Sequence, residues 1–329
     1  MSGVSTKHLL GIKYITRQDI ELIFQTAAQF KEVINRPIKK VPSLRDTTVV
    51  NLFFENSTRT RISFELAEKR LSADIVNFSS SSSSVKKGET LIDTVNNILA
   101  MKVDMVVMRH PSPGAPMFLS KHIDAAIINA GDGTHEHPTQ ALLDAYTIKN
   151  ELAADKKDLA GIKVAIVGDI LHSRVARSNV LLLNKLGAKI KLVAPPTLMP
   201  VGISDWPVEP SFSLDDAIAD CDVVMMLRIQ LERMNSAYFP NEREYSRNYG
   251  LTKNRINGLK NNAIIMHPGP VNRGLEISAE CADDVKSVIV DQVKNGVAMR
   301  MAVLYHLLGG ARISESDIEN MSEVSAGGR

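Results

Sequence analysis

The chain has 329 residues, 44% hydrophobic and 23% charged, which gives room for two globular domains with a sizeable core and excludes a disordered chain. Its net charge is only +2, so no global field directs it to nucleic acid or to an anionic membrane, and any positive potential must be local. Two cysteines without paired spacing, Cys221 and Cys281, suit a reducing compartment; with no signal-peptide core and no apolar run long enough to span a bilayer, a cytoplasmic protein is expected.

Short β-rich runs alternate with longer helical patterns, the mark of parallel α/β architecture. The first half predicts strands over Thr47–Phe54, Asp74–Phe78, Val103–Met108 and Ala125–Asn129. Helices are predicted over Thr60–Leu71 and His137–Leu152. The polar stretch Ala153–Gly161 then places a domain boundary near residue 150. The second half predicts strands over Lys163–Val167, Lys189–Val193, Asp222–Leu227, Ala263–Met266 and Ser287–Val290, then a helix over Gln292–Leu308. Residues 311–329 are polar and read as a loosely held tail. The expected fold is α/β, two doubly wound parallel-sheet domains with the active site in the cleft between them.

The densest chemistry follows the first strand. Ser57-Thr58-Arg59-Thr60-Arg61 gathers hydroxyls and guanidinium groups where a strand hands over to a helix. The free N–H groups and the positive dipole end of a helix N-terminus favour an anion, and arginine matches phosphate oxygens with two parallel donors. Helix capping alone needs one hydroxyl, not three hydroxyls and two arginines in five residues. The expected ligand is a phosphate. Next comes the serine run Ser79–Ser84, followed by Val85-Lys86-Lys87-Gly88-Glu89-Thr90. Composition suits a flexible linker, whereas its place inside a domain suits a functional loop whose lysines reach an anion.

Further candidates also follow strands, where ligands of open α/β sheets collect. Met108-Arg109-His110-Pro111 brings another arginine. His135-Glu136-His137-Pro138-Thr139-Gln140 invites a metal reading, but the histidines are two apart, not one helical turn, and a proline follows. A helix N-terminus with Pro138 in its first turn fits better, with His137 donating to a carbonyl oxygen and Gln140 pointing the same way. No metal is expected. Gly168-Asp169-Ile170-Leu171-His172-Ser173-Arg174 lacks the second and third glycines of a dinucleotide turn and offers Arg174. Arg228-Ile229-Gln230 supplies an arginine and an amide, and His267-Pro268-Gly269-Pro270 a rigid turn with carbonyls that can accept from an amide. Arg59, Arg109, Arg174 and Arg228 thus follow four strands, two in each half, as two anionic ligands would require.

Phe54-Glu55-Asn56-Ser57-Thr58-Arg59-Thr60-Arg61 closely resembles the carbamoyl-phosphate signature of the aspartate and ornithine carbamoyltransferase family, and the resemblance runs in family order over residues 8 to 308. Lys86-Lys87-Gly88-Glu89-Thr90, His137-Pro138-Thr139-Gln140, Arg228-Ile229-Gln230 and His267-Pro268-Gly269-Pro270 look like the aspartate branch; the ornithine branch carries a cysteine in the last segment. The resemblance implies transfer of a carbamoyl group to L-aspartate in pyrimidine biosynthesis, without a cofactor. It implies that Ser57, Thr58, Arg59 and Thr60 cradle the phosphate and that Arg109 also reaches it. Thr60, Arg109 and His137 would surround the carbamoyl oxygen, making Arg59, Thr60, Arg109 and His137 the catalytic set. Gln140 and the carbonyls of Pro268 and Gly269, beside Pro270, would hold the carbamoyl NH2. Lys87, Arg174, Arg228 and Gln230 would bind aspartate. Ser83 and Lys87 would come from a neighbouring subunit, Ser83 being placed by counting back from the lysines. The implied assembly is a homotrimer with shared sites, open to regulatory or dihydroorotase chains. The implied domains are 1–150 for carbamoyl phosphate, with helix 291–310 packed back on it, and 151–290 for aspartate. An ornithine-type transferase, a dinucleotide-dependent dehydrogenase and a non-catalytic anion binder are the rival readings.

Overall fold

The computed structural model describes residues 3–79, 90–154, 156, 158–230 and 238–308. Two compact units divide the chain, one of Met1–Leu10, Tyr14–Ala130 and Val297–Arg329, the other of Gly11–Lys13 and Gly131–Gly296. Ser83 and Lys87, and the predicted tail, lie outside the described residues.

The first unit is built on a four-stranded sheet in the order β2-β1-β3-β4. Its strands are β1 (Thr48–Phe53), β2 (Asp74–Ser79), β3 (Met105–His110) and β4 (Ala126–Asp132). Strand β1 pairs in parallel with β2 and β3, and Phe53 stands opposite Arg109. Five of the six β1 residues are buried, as expected of a parallel strand covered on both faces. Val50, Leu52, Val106, Met108, Leu119 and Ile127 form the core on one side of this sheet. Helices α1 (Arg17–Asn35), α2 (Thr58–Arg70), α3 (Leu91–Leu99) and α4 (Ala115–Ser120) complete the unit's first part. Helix α1 lies outside the predicted elements, although its capping box of Thr16 and Asp19 is a local start signal.

The second unit carries a five-stranded sheet in the order β7-β6-β5-β8-β9, with every neighbouring pair parallel. These strands are β5 (Lys163–Val167), β6 (Lys189–Val193), β7 (Glu209–Ser211), β8 (Val223–Met226) and β9 (Ile264–Met266). Its helices are α5 (Pro138–Leu152), α6 (Arg174–Lys185), α7 (Leu214–Ile218), α8 (Glu242–Tyr249), α9 (Lys253–Asn257) and α10 (Ala279–Ala282). Val167, Val193, Ile218, Val224, Met226 and Ile265 belong to one buried cluster here. The short strand β7 was not predicted; its three residues include a proline and none is buried, so no apolar pattern marks it.

One predicted strand is overturned. Ser287–Val290 makes only an isolated parallel bridge, Ile265 with Ser287, and helix α11 (Ile289–Leu308) begins inside the predicted span. The β-branched run Val288-Ile289-Val290 mimics a strand, but Gln292 N–H already bonds to the Val288 carbonyl at 2.9 Å and closes a helical turn. Residues of α11 from Val297 onward belong to the first unit, where Arg300 lies over the Phe64 ring at 5.1 Å and His306 Nε2 is 2.7 Å from Thr26 Oγ1. Among the described residues no helix is long and apolar enough to cross a membrane.

Candidate functional site

In the first unit, the loop after β1 and the end of β3 lie side by side. Phe54 N–H donates to the Arg109 carbonyl at 2.9 Å, so the α2 N-terminus and the Arg109 side chain emerge at the same sheet edge. Ser57 occupies the N-cap of α2 yet makes no side-chain cap hydrogen bond. Thr16, Thr90 and Ser173 do cap α1, α3 and α6. The hydroxyl of Ser57 is thus not spent on its own helix. Thr58 and Arg59 are exposed and Thr60 is buried. Arg61 runs along the helix instead, its Nε 3.5 Å from Glu65. Arg109 is buried and its Nη2 meets Glu55 Oε1 at 2.7 Å, a strong charge-assisted pair. Glu55 was not among the predicted functional residues; its sequence signal is an acid immediately before the hydroxyl run.

In the second unit, three loops leave the carboxyl ends of β5, β8 and β9. Gly168 takes φ +131°, and a Cβ there would lie 3.1 Å from both the Leu227 side chain and its carbonyl, so this turn needs glycine for close approach to β8. Asp169, fully buried, accepts from the His172 backbone N–H at 3.1 Å and lies 2.9 Å from its ring Nδ1. Ser173 accepts from Ala176 N–H, and Arg174, the first residue of α6, is buried. Gln230 Nε2 donates to the His172 carbonyl at 3.4 Å, which ties the β8 loop to the β5 loop. Arg228 lines a cavity of about 900 Å³ together with Arg243, Arg247, Arg273, Asn272 and Thr252. Arg243 and Arg247 escaped the sequence reading because they lie on α8, away from any strand end, while Arg273 sits further along the loop after β9.

The segment His135–Gln140 does not assemble as a metal site. His135 Nδ1 lies 3.1 Å from Asp132, and the hydrogen bond it makes to the Asp132 carboxylate raises the pKa of His135. Glu136 spends one oxygen on Ile12 N–H at 2.9 Å and on Ser178 Oγ at 3.0 Å, while burial raises its pKa. A Cβ on Gly11 would fall 2.4 Å from Glu136 Oε1, so residue 11 must stay small for the carboxyl to sit there. Ser178 Oγ in turn accepts the His137 N–H at 2.8 Å. His137 is therefore held by its backbone at the head of α5, where it makes no side-chain cap bond. Among the described residues no group of three His, Cys, Asp or Glu side chains is arranged to hold a metal ion.

Behind His137 runs a buried polar chain. Asp144 Oδ1 accepts from Gln140 Nε2 at 2.9 Å and from Gln292 Nε2 at 2.8 Å, and its Oδ2 from Asn179 Nδ2 at 2.9 Å. Gln292 Oε1 accepts the His267 N–H at 2.9 Å. His267 Nδ1 accepts from Gly269 N–H at 2.8 Å, so its proton sits on Nε2 and is directed to Glu276 at 3.0 Å. The Gln140 amide and the His267–Pro270 turn, singled out separately in the sequence, are thus joined through Asp144 and Gln292. Neither linking residue carried a sequence signal: Asp144 sits mid-helix in α5 among buried neighbours, and Gln292 is a single buried amide in the first turn of α11, flanked by residues that are not buried.

Comparison with known proteins locates these motifs in a family. Residues 7–150 match the aspartate/ornithine carbamoyltransferase carbamoyl-P binding domain, and residues 160–307 match the Asp/Orn binding domain. The aspartate carbamoyltransferase catalytic subunit of Christiangramia forsetii is 64% identical, covering 93% of this chain and 97% of that protein. That of Streptomyces griseus is 60% identical over 93% of this chain and 95% of its own. A solved aspartate transcarbamoylase of Trypanosoma cruzi, in complex with carbamoyl phosphate and aspartate, superposes with a TM-score of 0.84 at 31% identity, covering 93% of this chain and 97% of that one. The catalytic subunit from M. jannaschii gives 0.79 at 37% identity over 92% and 98%.

Proposed function

This chain belongs to the aspartate/ornithine carbamoyltransferase family, and from that premise we propose how its residues divide one reaction. The reaction is transfer of the carbamoyl group of carbamoyl phosphate to L-aspartate, which releases phosphate, yields N-carbamoyl-L-aspartate and commits carbamoyl phosphate to pyrimidine synthesis. The observation that carries the division is the head of α2, where the N-cap serine makes no cap bond and the Arg109 strand end lies alongside. Uncapped N–H groups and guanidinium donors suit a phosphate.

In this reading Ser57, Thr58, Arg59 and Thr60 hold the phosphate, and Arg109 leaves Glu55 to join them. Thr60, Arg109 and His137 donate to the carbamoyl oxygen. Gln140 and the carbonyls of Pro268 and Gly269, beside Pro270, accept from the carbamoyl NH2. Arg174, Arg228 and Gln230 take the aspartate carboxylates, with Lys87. The amine lone pair attacks the carbonyl carbon, the C–O bond to phosphate breaks, and the departing phosphate can accept the amine proton. Negative charge builds first on the carbonyl oxygen and then on the phosphate, and donors aimed at both lower the barrier; losing one typically costs about 3–4 kcal/mol. Holding two anions together is a further part of the catalysis.

We place the enzyme in the cytoplasm as a homotrimer, with Ser83 and Lys87 lent to a neighbouring site. Formation of N-carbamoyl-L-aspartate from the two substrates, read colorimetrically, tests the activity; transfer to ornithine in place of aspartate would overturn it. Mixing Lys87→Ala chains with Arg59→Ala chains tests the shared site. Recovered activity in hybrid trimers supports it, and verified hybrids without activity refute it.

A further inference from the structure

Gln140 ends in an amide, which presents an acceptor on one side and two donors on the other; a half-turn of χ3 exchanges them. Only the oxygen side can bind the NH2 of a carbamoyl group. Something must therefore decide the polarity of this amide, and the surroundings of Asp144 supply the means.

Asp144 is fully buried, and three amide NH2 groups converge on it, from Gln140, Gln292 and Asn179. A carboxylate only accepts, so each amide must turn its nitrogen inward. Gln292 is fixed from its other end as well, because its Oε1 already accepts the His267 N–H. Asn179 likewise gives Nδ2 to both Asp144 and the Val175 carbonyl at 3.1 Å. Reversing Gln140 alone would set its Oε1 against a buried carboxylate oxygen, two acceptors with no proton between them. The nitrogen of Gln140 is thereby committed to Asp144, and its oxygen to the opposite side.

We propose that Asp144 and Gln292 form a polar spine that sets the amide polarity of Gln140 and the seat of the His267–Pro270 turn, so that the side of the site that meets the carbamoyl NH2 presents acceptors only and selects a carbamoyl group over an acetyl group. The inference rests on the carbamoyl-transfer reading above. Asp144 and Gln292 are positioning residues: they act through Gln140 and the turn. Carbamoyl and acetyl phosphate differ at one group, NH2 against CH3. A site built to hydrogen-bond an NH rejects the analogue lacking it by roughly 10⁴-fold, because its acceptors are left unpaired.

The test compares kcat/KM for carbamoyl phosphate and for acetyl phosphate, with aspartate as acceptor, in the full-length protein and in Asp144→Asn and Gln292→Met. The unmodified protein is expected to prefer carbamoyl phosphate strongly. Both substitutions are expected to lower that preference by about tenfold or more, since Gln140 can then turn or the turn can shift. A general structural loss lowers both rates and leaves their ratio unchanged, so the ratio isolates positioning. If Asp144→Asn does not fold, Gln292→Met decides alone. An unmodified enzyme that transfers carbamoyl groups, with the ratio unchanged in the folded variants, overturns this inference only. An unmodified protein that makes no N-carbamoyl-L-aspartate overturns the functional reading and this inference with it.

Discussion

Glu68 in the first unit and Asp144 in the second are both fully buried carboxyl groups on helices, but they are furnished differently. Glu68 receives one amide donor, Asn51 Nδ2 at 2.9 Å, and burial pushes its pKa up to about 8. Asp144 receives three. The contrast extends to the surfaces above them. Ser57, at the head of the Glu68 helix, makes no cap bond and is followed by exposed Thr58 and Arg59. Above Asp144, Gln140 and the His267 turn are locked through shared partners. A phosphate is large, highly charged and bound by attraction at several points, so its corner can leave donors exposed. An NH2 is distinguished from a methyl only by where acceptors sit, so that part of the site has to be rigid in advance.

The sharpest way to break this comparison is to remove charge from the adjustable side. Arg59→Ala is expected to lower kcat/KM by roughly a thousandfold, about 4 kcal/mol of transition-state stabilisation. Thermal melting should be unchanged, and turnover near that of the parent would remove Arg59 from the phosphate role. Arg228→Ala should act on the other substrate, raising the aspartate KM by roughly 10- to 100-fold through loss of a charged hydrogen bond. A saturation curve for aspartate that does not move would exclude it.

Glu68→Gln sharpens the contrast between the two carboxyls. The folded pKa of Glu68 lies above its ordinary value of 4.5, so the folded state holds a proton that the unfolded chain releases. The stabilising contribution is complete below pH 4.5 and is lost as pH rises toward about 8. Glutamine cannot titrate and still accepts from Asn51. The variant should therefore gain on the parent as pH rises from 4.5 to 8, by on the order of a few kcal/mol at the top, and urea titrations across that window measure it. A constant stability difference over the whole window would refute the buried neutral acid.

The smallest effect concerns the two N-cap serines. Ser173→Ala should cost about 1 kcal/mol of stability, because it removes the bond to Ala176 N–H. Ser57→Ala should cost almost nothing in stability and should weaken carbamoyl-phosphate binding instead. Equal losses in the two melts would show that Ser57 is an ordinary cap.

Much of this fold was legible because buried parallel strands are continuous apolar runs. Thr48–Phe53 and Lys163–Val167 fall within or on the predicted spans. The errors occurred where the apolar pattern loses its meaning. The exposed strand β7 carries no such pattern, and Val288-Ile289-Val290 carries it into the start of a helix. Helix α1 was missed although its cap was local.

The sequence by itself determined the chemistry of the contacts: hydroxyls and arginines at a strand-to-helix junction, an amide one turn into α5, and a proline-fixed turn after β9. These are readable because each depends on residues close together in the chain, within one turn or loop. Tertiary structure alone decided which side of which amide faces outward and which arginine is held by Glu55. Those outcomes depend on partners such as Gln292 and Asp144, 148 positions apart, which meet only after burial has brought their helices together and made an unpaired polar group too costly to leave.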